Sequence, residues 1–464
     1  MLALLSAEQF GLGQKAIALS SREPLLAHFR PLVGAVDLPT PEVSGGRRWW
    51  EGPLDVEGLA IDSIRTFLTL AGAVTGEARF GSDAALILGA FMSLDLLEID
   101  EHSTTGFAPM SGFFETSDGW IRVHANYPHH ARALERATNA TDAAALRRAA
   151  KSRQARELED RILAHDGVAA AVRTADEWRR EESAREPWLT VDATHAAPCA
   201  PPTLGPLLSG LRVVDLTRVV AGPVASRALA LLGADVIRVD PAEPAELMDH
   251  YVDAGFGKRS AVLDLGRDES RSRLRELLQS AHVLLTGYRP GSLDRFGLAP
   301  DSIAAEHPHL HHVRVQAWPQ SSEWGARRGF DSIVQAATGI SDLYRKADGT
   351  PGALPVQALD HATGYGAASA VLAAVIRHRE SGVIGPMGLT LANTAAHLLA
   401  SPAVDQTPDR PSPVTATMCT PAGTLRFAVP PILRNGVPVS YAHAPGPYGG
   451  SSLAWAPLTG NERS

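Results

Sequence analysis

Between Leu211 and Trp318 the chain alternates five short aliphatic, β-branched runs with stretches of helical period, and this rhythm constrains the fold more than any other feature. The runs are Leu211–Leu216, Ala234–Asp240, Ser260–Leu265, His282–Tyr288 and His311–Trp318. Two spacers, Pro223–Gly233 and Glu269–Ala281, read as helices, the first opened by a proline where a helix start tolerates one. Strand, helix, parallel strand is the connection that fits this spacing. The second half is therefore predicted to be α/β, a Rossmann-like, mostly parallel sheet covered by helices, with ligands at the carboxyl ends of its strands. An alanine-rich helix from about Thr363 to His378 follows and ends at Gly382.

The first half reads as a smaller α+β domain. Leu59–Thr75 and Ala84–Leu97 have helical spacing, Gly112–Asn126 reads as a hairpin turning at Ser117-Asp118-Gly119, and Glu135–His165 has a helical composition. A proline-rich stretch separates the halves, giving an expected division into 1–195 (small α+β region), 196–207 (linker), 208–400 (Rossmann-like domain) and 401–464 (tail). The tail is dense in Pro, Gly, Ala and Ser, and is expected to be irregular.

A formal net charge of −8 gives no global basic field, which argues against nucleic acid as the main partner. Only two cysteines occur, Cys199 and Cys419, so a disulfide framework or cysteine-rich zinc site is excluded and a reducing, cytoplasmic setting is expected. The start, MLALLSAEQFGLGQK, lacks the basic and long apolar regions of a secretory signal, and the chain has no apolar run of membrane-spanning length. Four histidines fall within His307–His312, but no carboxylate or cysteine stands at ligand spacing, so no metal is expected. His129-His130 are expected to begin a solvated helix. The turn TRVVAGPVAS holds a single glycine, Gly222, and lacks the G-x-G-x-x-G of a dinucleotide site, which disfavours a nucleotide-dependent oxidoreductase.

The block GLRVVDLTRVVAGPVASRALALLGADVIRVD (Gly210–Asp240) resembles the opening of class III coenzyme A transferases, the family of formyl-CoA and carnitine-CoA transferases. Gly257–Leu265, Leu284–Leu298, Gly329–Gly339 and Ala358–Gly382 resemble further family blocks and follow in family order. Phe113–Leu134 resembles part of the later, small-domain region, yet here it precedes the first strand. A rearranged order, or a tandem ancestor trimmed at both ends, is expected. It predicts that residues 1–195 pack on residues 208–400.

The resemblance implies a CoA-transferase moving coenzyme A between an acyl-CoA thioester and a small carboxylic acid, with Asp360 as the carboxylate that passes through a mixed anhydride and an enzyme-CoA thioester. Asp360 is read as lying just before its helix, where the N-terminus favours an ionised carboxylate. On local sequence alone an ordinary helix cap is the favoured explanation, and the surrounding family-like blocks reverse that preference. Gly364 and Gly366 weaken the helix, and either close approach of a ligand or close helix packing accounts for them. For CoA the resemblance points to Val219, Val220 and Ala221 after the first strand, to Gly287, Tyr288 and Arg289 after the fourth, and to Arg295. Arg259 and Arg295 are the candidate phosphate partners. It further implies a homodimer, with CoA as substrate and no permanently bound cofactor or metal.

Two departures stand out. Pro241 follows Asp240 where some members supply an arginine for the CoA phosphate, and Thr104-Thr105-Gly106 is a poor match for the glycine cluster that covers the catalytic aspartate in formyl-CoA transferases. Acyl-CoA racemases of the same family place a histidine in a GHD motif, where this chain has Gly329-Phe330-Asp331. His361 adjoins Asp360 but points elsewhere on a helix. A catalytically degenerate CoA-binding relative is the remaining alternative.

Overall fold

The computed structural model describes residues 24–456, apart from 78, 105, 182–185 and 422. The opening segment read for a signal, the Thr105 of the glycine-loop comparison and the last eight residues of the tail lie outside the described residues.

Seven strands form the main sheet: β1 Leu189–Val191, β2 Arg212–Leu216, β3 Asp235–Asp240, β4 Arg259–Val262, β5 Val283–Thr286, β6 His311–Gln316 and β7 Met387–Thr390. Their order is β4-β3-β2-β5-β6-β7-β1, with every pair parallel except β7 with β1. The order reverses between β2 and β5, which opens a crevice at their carboxyl ends. All five strand runs expected from the sequence are present. Four helices matter for the site: α1 Val56–Thr75, α2 Ala221–Leu231, α3 Asp331–Thr338 and α4 Ala358–Ser381.

Helix α4 is buried nearly all round, as its alanine, glycine and aliphatic content allows. It begins at Ala358, five residues before the sequence reading placed it, so Asp360 lies inside the first turn. Its end at Gly382 is as read, the glycine taking a left-handed cap with φ 64°. A Cβ at Gly364 would stand 2.5 Å from the Ala221 carbonyl oxygen of α2, and one at Gly366 would stand 2.5 Å from the Trp188 ring. Close packing therefore explains both glycines.

The two halves share one hydrophobic core. Phe67 and Leu70 of α1, Val224 and Leu229 of α2, and Leu372 and Val375 of α4 belong to a single buried cluster. The first half also supplies β1 to the main sheet, and His195-Ala196 pair with Val383-Ile384. Two non-touching halves, the arrangement that would reject a rearranged small domain, are not what the chain forms.

The tail expected to be irregular is built into the fold through residue 456. Thr415–Thr420 and Gly423–Ala428 form a hairpin whose second strand pairs with Glu98-Ile99, and Leu433-Arg434 pair with Phe80-Gly81. Beyond them Ser451 donates to the Ser260 carbonyl on the β4 edge. The strand partners Glu98-Ile99 and Phe80-Gly81 lie more than 300 residues away in sequence, so local composition carries no trace of them.

Candidate active site

A cavity of about 1370 Å³ opens at the carboxyl ends of β2, β3, β5 and β6. It exceeds the roughly 300–1,000 Å³ of an ordinary small-molecule pocket and suits a long ligand. One wall is the turn after β2, Arg218 to Gly222, and another is the segment after β5, from Gly287 to Phe296. Val219 holds φ 69°, a left-handed conformation that costs a β-branched residue energy and persists only where its surroundings enforce it.

That enforcement comes from Glu246. Its side chain is fully buried, accepts from the Val219 amide at 2.9 Å and from the Tyr127 hydroxyl, and is paired with Arg238 at 3.1 Å and Arg218 at 3.5 Å. Burial pushes the Glu246 carboxyl up, but Arg218, Arg238 and the hydrogen bonds outweigh it and bring it down to about 2. The turn after β2 is thus tied through one carboxylate to Tyr127 of the first half.

Asp360 lines the cavity and is only 5% exposed. Its side chain accepts no hydrogen bond among the described residues. The N-cap of α4 is Gln357, without a side-chain cap, and the anion at this helix start is Asp331, the first residue of α3. One oxygen of Asp331 accepts from the amides of Leu359 at 3.0 Å and Asp360 at 3.1 Å, while the other accepts from Gln335 Nε2. Burial and the neighbouring Asp331 together hold the Asp360 carboxyl well above the usual range. The expectation of an ionised Asp360 favoured by the helix end, and its alternative of a capping aspartate, are both corrected: Asp331 occupies that place.

Val219, Val220, Ala221, Gly287, Tyr288, Arg289 and Arg295 line the same cavity as Asp360. Arg295 is exposed, rests on the Phe296 ring at 4.6 Å and has no carboxylate partner among the described residues, which leaves it open to a phosphate. Arg259 is not brought in. It stands at the opposite, amino end of β4, paired with Asp235 and bonded to the Ala454 carbonyl. Pro241 lines the rim where an arginine had been looked for.

Sequence reading expected the first half to complete the acyl side of the site but named none of its residues there. Tyr127, His129 and His130 line the cavity beside Phe330. His130 is buried, so the solvated helix expected there is corrected. Burial, then neighbouring histidines and arginines, brings His130 down to about 2, leaving a neutral ring. Phe330 stacks on His124, with ring centroids 3.8 Å apart. His361 turns away onto Phe91, as its place on the helix implied. The available signal was adjacency: Arg218 and Asp331 sit inside the blocks that carry the resemblance, and Tyr127 to His130 follow the hairpin directly.

Residues 208–428 match the model of CoA-transferase family III. Among family III relatives, a probable fatty acyl-CoA transferase of Mycobacterium tuberculosis is 32% identical over 216 residues, 43% of this chain and 55% of the relative. A succinate–glutarate CoA-transferase of Agrobacterium fabrum is 31% identical over 218 residues, 43% of this chain and 54% of its own. The chain spans about half the length of these curated relatives. A crystal structure of a CaiB/BaiF family protein from Brucella suis has 26% identity and a TM-score of 0.37, covering 51% of this chain and 67% of that one. No described helix is long and apolar enough to cross a membrane.

Proposed function

We propose that this chain carries an acyl-CoA:carboxylate CoA-transferase site with Asp360 as the nucleophile. The observation that carries the reading is the placement of an unpaired, nearly buried carboxyl on the wall of a large cavity whose other walls are the family III blocks. The ionised Asp360 oxygen attacks the thioester carbonyl, the C–S bond breaks, and an acyl-aspartyl anhydride and CoA thiolate result. The thiolate then attacks the aspartyl carbonyl, releasing the donor acid as its carboxylate and leaving an aspartyl-CoA thioester. The acceptor carboxylate reverses both steps and regenerates Asp360. Val219, Val220 and Ala221 would lie along the CoA arm, and Arg289 and Arg295 would meet its phosphates.

Acyl-CoA epimerisation is the second reading, and one observation favours it: the neutral imidazoles of His129 and His130 share the cavity with Asp360. Incubation with a panel of acyl-CoA donors and free acids, followed by mass spectrometry, separates the two. Transfer predicts a CoA adduct on the peptide containing Asp360 and none in Asp360→Ala. Deuterium uptake at the acyl α-carbon without an adduct would replace it with epimerisation. An adduct mapped to another residue would overturn the assignment of Asp360.

A further inference from the structure

Two carboxyl groups meet at the start of α4, and only one can take the unpaired amides there. Asp331 has them: one of its oxygens accepts from both Leu359 and Asp360. Gln335 secures its other oxygen and in turn accepts from the Leu354 amide at 2.8 Å, so the first turn of α3, the start of α4 and the segment before it are pinned to one another. Asp360 is left with no donor among the described residues and faces the cavity.

We propose that Asp331 is a positioning residue, which takes the anion's place at the start of α4, fixes the backbone bearing Asp360, and determines when the Asp360 carboxyl carries charge. This rests on Asp360 being the reacting group. Asp331 is itself pushed up to about 6 by burial, against the pull of Gln335, the two amides and the Arg122 cation. Arg122 comes from the strand Trp120–Val123 packed on α3, and Asp360 from α4; these are the charged groups that act on Asp331. Of those on the other helices beside α3, Arg179 pairs with Asp176, Glu181 with Arg173 and Arg156, and Asp342 with Arg345, Glu177 accepts from the Thr174 amide, Arg180 is exposed, and His397 stands beside His28. Charge on Asp331 therefore works against ionisation of Asp360, whose carboxyl holds its proton beyond the ordinary carboxylate range. The attacking carboxylate accumulates as pH rises.

The test is direct titration of Asp360 in the full chain labelled with 13Cγ-aspartate, its signal assigned by difference from Asp360→Asn. In the unaltered protein the signal should titrate above the ordinary carboxylate range. In Asp331→Asn, which keeps a carbonyl acceptor for the two amides, the midpoint should fall by about one pH unit or more. Asp331→Ser, whose hydroxyl can still cap the helix, should show the same fall and serves if the asparagine variant does not fold. An unmoved midpoint in the folded variants, or an ordinary midpoint in the unaltered protein, would overturn the proposal. No turnover is needed, so failure of the CoA-adduct experiment and failure of this one are separate results.

Discussion

Removing Glu246 should expose how much the fold depends on the carboxylate that ties the turn after β2 to the first half. In Glu246→Ala, Arg238 keeps Asp240, Arg218 keeps the Pro244 and Ala245 carbonyls and the Tyr127 ring but loses its carboxylate, and the buried Tyr127 hydroxyl loses its acceptor. A carboxyl brought down from 4.5 to about 2 in the folded state corresponds to about 3 kcal/mol of stabilisation. The cost of breaking a buried ion pair, about 3–5 kcal/mol, agrees with it. The sign follows from the lowered folded value. The contribution is fully present above the unfolded value of 4.5 and is lost as pH falls toward about 2. Equilibrium unfolding in urea should therefore show a deficit of about 3 kcal/mol or more at neutral pH that shrinks in acid. Because the halves share a core, one transition is expected in both proteins. A deficit below about 1 kcal/mol, or one that does not change with pH, would refute the reasoning.

Asp360→Asn should stabilise the fold, since a carboxyl raised on folding contributes stability at acid pH that disappears as pH rises through its folded value; the gain over the unaltered protein should grow toward alkaline pH in thermal unfolding. Arg295→Ala should raise the KM for an acyl-CoA about tenfold, the scale of one lost charge-assisted phosphate contact, while Arg259→Ala leaves it unchanged; equal effects would contradict the placement of the two arginines. Gly364→Ala should destabilise by about 1–3 kcal/mol in spite of its better helix propensity, because the added methyl collides with α2, and a stabilised variant would show that α2 and α4 do not pack this closely.

The main sheet was legible because each of its parallel strands declares itself within a few residues. Val213 and Val214 or Leu284 and Leu285 are buried on both faces, so the runs are continuous and apolar rather than alternating. The turn after β2 was legible for a related reason, since a strand followed at once by a helix leaves few places for a ligand. What escaped was set by partners distant in the chain. Nothing around Thr415–Thr420 announces that Glu98-Ile99 will extend its hairpin, and nothing around His129 announces a wall shared with Asp360. Arg259 shows the converse error: a cation inside a family-like block was credited with a phosphate, although the first residue of a parallel strand lies at the end of the sheet away from the crevice.

Asp331 was missed for a different reason, and it bears on what the site can do. In the sequence it is the last letter of a tripeptide noticed only for the phenylalanine before it, and a helix-start aspartate has an ordinary structural use. The structure gives it that use, but on the wrong helix: it begins α3 and caps α4. An anion placed there satisfies the amides and so stabilises the fold, while the same charge works against ionisation of Asp360 beside it. The two effects have opposite signs on one carboxylate, and a capping residue chosen for stability alone, such as serine or asparagine, would deliver the first without the second. On the proposed reading, a full charge at this position is what ties the start of α4 to the chemistry of its third residue.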